Sequence, residues 1–277
     1  MSEPSRPIIR WHGGKWMAAP RIIAQFPPHR IYTETFGGGA SVLMRKPRSY
    51  AEVYNDMDGE LVNLFRVVRD HGDKLRTALH LTPFARDEFF AAYEPTEDPI
   101  ERARRTVILA YMGFGSNSVV KISGFRSNAN RSGTTPAYDW SHYPDCVPAM
   151  VERLRGVIIE NRDAKEIMDA NDQPDALHYV DPPYVLSTRS YGKGGYRHEM
   201  TDQQHRELAE FLNGLKGSVV LSGYPSPLYD EIYHDWERLE WKQMADGARE
   251  RTEVLWLRNC DHDLFSNHNP ANPHALA

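Results

Sequence analysis

Four consecutive residues, Asp181-Pro182-Pro183-Tyr184, place a carboxylate, backbone carbonyls without competing N–H groups and an aromatic ring in one short turn. The prolines fix φ near about −65° and push the residue before them into extended geometry, so the turn is stiff. These groups suit the gripping of an exocyclic amine on a flat heterocycle: two acceptors take its hydrogens and the ring stacks on its face. Taken alone, the tetrapeptide reads equally well as an ordinary Pro–Pro turn.

Other stretches carry chemistry too. Arg10-Trp11-His12-Gly13-Gly14-Lys15 sets two glycines between a stacking face and a charge suited to a carboxylate or phosphate. Standing alone, it is a surface turn beside a core tryptophan. Phe36-Gly37-Gly38-Gly39-Ala40-Ser41 links a short strand to an apolar helix start, the unit that cradles nucleotides in α/β folds. No Lys-Ser or Lys-Thr follows the glycines, so it is not a P-loop. Asp56 ends the next strand about 20 residues on, where ribose hydroxyls are usually held. Between Glu101 and Ser132, Arg102, Arg104, Arg105, Lys121, Arg126 and Arg131 stand against the single acid Glu101. Glycine, aromatic and amide residues around Asn117 and Asn128 add groups suited to base edges and phosphates. The stretch 185–200 carries Arg189, Tyr191, Lys193, Tyr196 and Arg197 and reads as a lid or strand-gripping segment.

The elements that must position these groups follow a βα rhythm. Strand patterns fall at 31–35, 50–54, 157–160, 177–180, 218–222, 239–242 and 252–257. Helical patterns fall at 20–25, 59–70 and 164–170, and Thr201 with Gln204 makes a capping box for one more. From 71 to 145 the rhythm stops: 81–93 and 99–112 read as helices and a polar loop follows. An α/β fold is expected, with a catalytic domain from 1–70 and 146–260, a mostly helical DNA-contacting lobe at 71–145 and a flexible tail at 261–277.

With 26% charged and 40% hydrophobic residues, the 277-residue chain has the composition of a soluble globular protein. No apolar run approaches about 18 residues and the start lacks a signal-peptide core, so a cytoplasmic protein without membrane association is expected. Cys146 and Cys260 are the only cysteines, which excludes a disulfide framework and a four-Cys metal site. Cys260-Asp261-His262-Asp263 lacks a second cluster, so no metal is expected. The net charge of −5 does not exclude nucleic acid, because binding needs a basic face and not a basic total.

The motifs at Arg10–Lys15, Phe36–Ala40, Tyr54-Asn55-Asp56 and Asp181–Tyr184 occur here in one order in one chain. That set resembles the Dam-type DNA adenine-N6 methyltransferases, and most of all their prophage-encoded branch, over roughly residues 8–257. The resemblance implies a Rossmann-like S-adenosylmethionine-dependent methyltransferase sheet with an inserted target-recognition lobe. It implies S-adenosylmethionine as methyl donor and DNA, with a flipped adenine, as substrate. Trp11 and Lys15 would then border the cofactor, Phe36, Gly37, Gly38 and Gly39 its methionine end, Asp56 its ribose and Asp163 its adenine amine. Ala40 stands where the family usually has glycine. Asp181 and the Pro182 carbonyl would hold the target amine, and Tyr184 would stack on the base. Asn117, Lys121, Arg126, Arg131, Arg189 and Arg197 are the DNA-contacting candidates.

Family members reading GATC carry Tyr-Asn-Gly-Leu-Cys-Arg where this chain has Ser116-Asn117-Ser118-Val119-Val120-Lys121. Lysine lacks the planar fork that fixes on guanine, so relaxed specificity is expected. Strict GATC methylation, cytosine-N4 methylation and RNA adenine methylation remain as alternatives. Cytosine-C5 chemistry is excluded, because neither cysteine follows a proline. A nicotinamide dehydrogenase explains the glycine loop but gives Asp181–Tyr184 no role; a non-enzymatic DNA-binding protein explains the basic stretch alone.

Overall fold

The computed structural model describes residues 3–115, 117–128, 133–189, 195–245 and 249–260. Seven strands form one sheet: β1 (Ile31–Glu34), β2 (Ala51–Asn55), β3 (Val157–Glu160), β4 (Ala176–Val180), β5 (Ser218–Gly223), β6 (Glu237–Ala245) and β7 (Arg249–Arg258). Their order is β3-β2-β1-β4-β5-β7-β6. The first five are parallel, and β7 runs antiparallel to both β5 and β6. Strand order reverses between β1 and β4, which opens a crevice beyond their carboxyl ends where ligands of such sheets bind.

Ten helices surround the sheet among the described residues: α1 (Ala19–Ile23), α2 (Ser41–Arg45), α3 (Gly59–His80), α4 (Arg86–Ala91), α5 (Pro99–Met112), α6 (Pro136–His142), α7 (Val147–Leu154), α8 (Ala164–Ala170), α9 (Asp202–Gly214) and α10 (Pro227–Ile232). This is the α/β architecture expected from the sequence. The central strand β4 is buried along its whole length, so its apolar run needs no alternation. Leu61, Leu64, Phe65 and Val68 of α3 pack into the main core with Tyr32, Tyr54 and Leu177. None of the helices is long and apolar enough to cross a membrane.

Two helices differ from the sequence reading. α3 does not stop at Asp70 but continues through a non-helical turn at His71 (φ −136°, ψ 29°) to His80. Leu75 and Leu79 of this extension are buried in the same core, which is what carries the helix past the turn. The helix expected over 81–93 shrinks to α4, because Pro83 forces Thr82 out of helical geometry and Ala85 is extended. Helices α6 and α10 had a legible signal: Thr135-Pro136 and Ser226-Pro227 pair a capping hydroxyl with proline in the first turn.

Candidate active site

A cavity of about 500 Å³ lies at the crevice. Trp11, Lys15, Phe36, Gly37, Gly38, Gly39, Asp56, Asp163, Asp181 and Pro183 all line it. Pro182 and Tyr184 are buried and do not.

Sterics explain the glycine loop after β1. A Cβ at Gly37 would stand 2.2 Å from the Tyr54 ring, and one at Gly38 would stand 2.8 Å from Trp11 Cδ1. Gly38 also takes φ +50°, which L side chains rarely adopt. Ala40 sits in the same left-handed region at φ 49°, the conformation for which glycine is the usual residue. The loop is pinned from β2: Gly37 N–H donates to the Asn55 carbonyl, Tyr54 Oη to the Gly38 carbonyl, and Gly38 N–H to Asp56 Oδ2 at 2.8 Å. Asp56 Oδ1 accepts the Asp58 N–H, also at 2.8 Å. Burial nonetheless pushes the Asp56 carboxyl up to about 6. Asp163 caps α8, accepting the Lys165 N–H, and its exposed side chain borders the cavity.

Asp181 sits just past β4 as the centre of a charged cluster. Lys15 Nζ donates to both of its oxygens, at 2.9 and 2.8 Å, and to the Gly13 carbonyl. Ser222 Oγ on β5 donates to Asp181 Oδ1 at 3.0 Å. Lys15 Nζ also lies 3.7 Å from Glu253 on β7 and 4.7 Å from the centre of the Tyr184 ring. Tyr184 Oη donates to Glu253 at 2.5 Å, and the Tyr224 ring meets Tyr184 edge-on. Burial alone would lower the Lys15 pKa, but Asp181 and Glu253 together raise it, so the ammonium stays charged.

The DNA-contacting candidates divide. Lys121 is exposed on the loop between α5 and α6, whose base is closed by a bridge between Gly113 and Phe125. Asn117 is half-buried, with its Oδ1 unpartnered among the described residues. Arg126 donates to the Tyr111 carbonyl at 3.0 Å. Arg189 reaches Glu199 at 2.7 Å and the Tyr184 carbonyl, and its guanidinium lies over the Tyr196 ring. Arg197 is bound to Asp58 and to the Val119 carbonyl. The last two therefore tie the 195–200 segment to the protein. Ser116, Arg131, Tyr191, Lys193 and the 261–277 tail lie outside the described residues.

Sequence reading named no role for Glu34, Ser222, Glu253 or Glu199. Glu34 ends β1 and lines the cavity; burial pushes it up to about 7 although Tyr32 Oη and the Leu43 N–H donate to it. An acid at the end of the strand that feeds a glycine loop was the available signal. Glu253 had none, because β7 reaches the site only through antiparallel pairing with β5. Glu199 accepts the Gly195 and Tyr196 N–H groups as well as Arg189, holding the segment that borders the cavity.

This donor set fits S-adenosylmethionine. The cavity has the size of a nucleoside-type ligand site. The bare backbone at Gly37 and Gly38 permits close approach, and the lining sets the acids Glu34, Asp56, Asp58, Asp163, Asp181, Glu199 and Glu207 against the cations Lys15, Lys165 and Arg197, a balance that suits a sulfonium and an ammonium.

Residues 11–246 match the family model described as D12 class N6 adenine-specific DNA methyltransferase. The chain belongs to this family. It is 25% identical over 245 residues to a DNA adenine methylase of Haemophilus influenzae, covering 83% of each chain. It is 24% identical over 253 residues to the type II methyltransferase M1.LlaDCHI of Lactococcus lactis subsp. cremoris, covering 83% of this chain and 85% of the relative. A DNA N-6-adenine-methyltransferase of Escherichia phage P1 is 23% identical over 257 residues, which are 84% of this chain and 32% of that protein.

Proposed function

We propose that the chain methylates the N6 amine of adenine in DNA with S-adenosylmethionine as donor, on a base flipped out of the duplex and with relaxed sequence specificity. The observation that carries this reading is the placement of Asp181: it ends the central strand at the switch point, and its carboxylate opens on the cavity that the glycine loop also lines. When bound, the donor supplies an electrophilic methyl group. Trp11, the glycine loop, Asp56 and Asp163 hold it, with Glu34 at its cationic end. Residues 1–70 and 146–260 form the catalytic unit and 71–145 the DNA-contacting lobe.

The N6 lone pair is delocalised into the adenine ring, so the amine is a poor nucleophile. Asp181 and the Pro182 carbonyl accept its two hydrogens, which favours a tetrahedral nitrogen whose lone pair can attack. Placement and electrostatics then carry the rate. Flipping costs a few kcal/mol of unstacking, offset in part by Tyr184. Lys15 now covers one face of that ring, so the arriving base displaces the ammonium from it.

Tritium transfer from labelled S-adenosylmethionine to three duplexes tests the reading. One contains GATC, one contains adenines without GATC, and one contains only inosine–cytosine pairs. Label on both adenine duplexes and not on the third is expected. Label confined to GATC would replace relaxed with strict recognition; label on none would remove the proposed DNA substrate.

A further inference from the structure

Lys15 poses an electrostatic problem for the proposed reaction. Its ammonium donates to both oxygens of Asp181, the carboxylate meant to receive the target amine. A lone Lys15–Asp181 pair is neutral overall. It would give no net stabilisation to the positive charge that moves toward N6 as the nitrogen gains a methyl.

Glu253 changes that balance. It is buried at 3% exposure, it comes from the antiparallel strand β7, and no role in the family reading above involves it. It stands 3.7 Å from Lys15 Nζ and accepts the Tyr184 hydroxyl at 2.5 Å. The groups facing it are Lys15 from the amino-terminal segment, Tyr179 on β4, Asp181 and Tyr184 after β4, and Tyr224 after β5. Arg251 on its own strand lies over the Tyr224 ring. Lys15 Nζ meets both carboxylates of this cluster, Asp181 at 2.8 Å and Glu253 at 3.7 Å.

We propose that Glu253 is a positioning residue for methyl transfer: a second carboxylate that gives Lys15 another seat, anchors Tyr184 and leaves the cluster around Asp181 net negative. When the base arrives, Lys15 shifts from Asp181 and the Tyr184 face toward Glu253. Asp181 then accepts the amine hydrogens while the cluster favours positive charge at N6. The methyl carbon bonds to N6, the carbon–sulfur bond breaks with its electron pair going to sulfur, and the proton that N6 then sheds passes to the Asp181 carboxylate and on to solvent. Loss of the Glu253 charge locks Lys15 onto Asp181. This inference rests on the methyltransferase reading.

The test is single-turnover methyl transfer at saturating DNA and cofactor, across pH 5 to 9, for wild type, Glu253→Gln and Glu253→Asp. Glutamine keeps the shape and an acceptor for Tyr184 but removes the charge. Its transfer rate is expected to fall about 10- to 100-fold, the effect of one charge at this range in a partly buried site. S-adenosylhomocysteine affinity by calorimetry should stay within about twofold, and the loss of rate should be present across the whole pH range. Aspartate keeps the charge and should restore much of the rate. A Gln variant as fast as wild type at every pH overturns the proposal. So does a Gln variant that loses cofactor binding in proportion to rate, or an Asp variant no better than Gln. An inactive wild type on every duplex would instead overturn the methyltransferase reading beneath it.

Discussion

Arg197 joins Asp58 to the Val119 carbonyl: one terminal nitrogen reaches both Asp58 oxygens at 2.7 and 2.8 Å, and the other donates to Val119 at 2.7 Å. Asp58 in turn gives its N–H to Asp56, which holds the Gly38 N–H. A continuous run of hydrogen bonds therefore links the glycine loop, the 195–200 segment and the loop that carries Lys121. Two sites that bias one shared arrangement are coupled, typically by a factor of about 5 to 150. S-adenosylhomocysteine is expected to tighten DNA binding by wild type, and Arg197→Ala should abolish that gain. Fluorescence anisotropy with and without the cofactor product measures both. An Ala variant with undiminished coupling would disprove the link, and a fall of one unit in salt slope would assign Arg197 to phosphate instead.

Removal of Asp181 should separate binding from chemistry. In Asp181→Ala, Lys15 keeps the Gly13 carbonyl and Glu253 as partners, so the cation is not left unpaired in a buried site. Methyl transfer is expected to disappear, while calorimetric affinity for S-adenosylhomocysteine changes less than about tenfold. Loss of cofactor binding on the same scale as activity would contradict the role given to Asp181.

Glu34 makes stability depend on pH in an unusual direction. Its folded value of about 7 lies above the ordinary 4.5, so the folded protein holds a proton that the unfolded chain gives up. That contribution is complete below pH 4.5 and is lost as pH rises through 7. The span amounts to about 3 kcal/mol. Glu34→Gln is neutral at every pH, so it should gain stability relative to wild type between pH 5 and 8, read by urea melts. Cofactor affinity of wild type should strengthen over the same interval as Glu34 and Asp56 ionise, and the Gln variant should keep only the part that Asp56 supplies. Parallel pH curves for the two proteins would show that Glu34 does not titrate there.

Much of this was legible because local signals and tertiary context agreed. The βα rhythm gave the strands, and the glycine loop, Asp56 and Asp181, each legible as a local motif, all line the cavity. The steric reason for glycine at 37 and 38, the Tyr54 and Trp11 rings 17 and 27 positions away in sequence, belongs to the fold alone. What stayed hidden depends on long-range packing. Glu253 approaches Asp181 from a strand 72 positions later, Ser222 from a strand whose register is set by β4, and neither stands in a local motif. Basic residues gave a false uniformity: Lys121 and Arg197 look alike as charges in sequence, yet one faces solvent and the other is held by Asp58. Sequence counts charges; partners decide what they do.

That distinction yields a last prediction about the loop between α5 and α6. Among its described residues, a cation, Lys121, and two large apolar residues, Phe114 at 75% and Ile122 at 79% exposure, face solvent. Tyr93 Oη holds the loop together, donating to the Ser118 carbonyl at 3.2 Å and accepting the Ser123 N–H at 3.1 Å. A phosphate contact and an apolar contact differ in their response to salt, because only the first releases counterions. Lys121→Ala should lower the salt slope of DNA binding by about one unit. Phe114→Ala should weaken binding at every salt concentration by a similar factor and leave the slope unchanged, as expected for a side chain that packs against bases. Arg126→Ala should resemble neither: its guanidinium is engaged with the Tyr111 carbonyl, so its loss should disturb the loop base and lower Tm. Equal slopes for Lys121→Ala and wild type would take Lys121 out of the interface. A slope change for Phe114→Ala would mean that the loop itself had refolded.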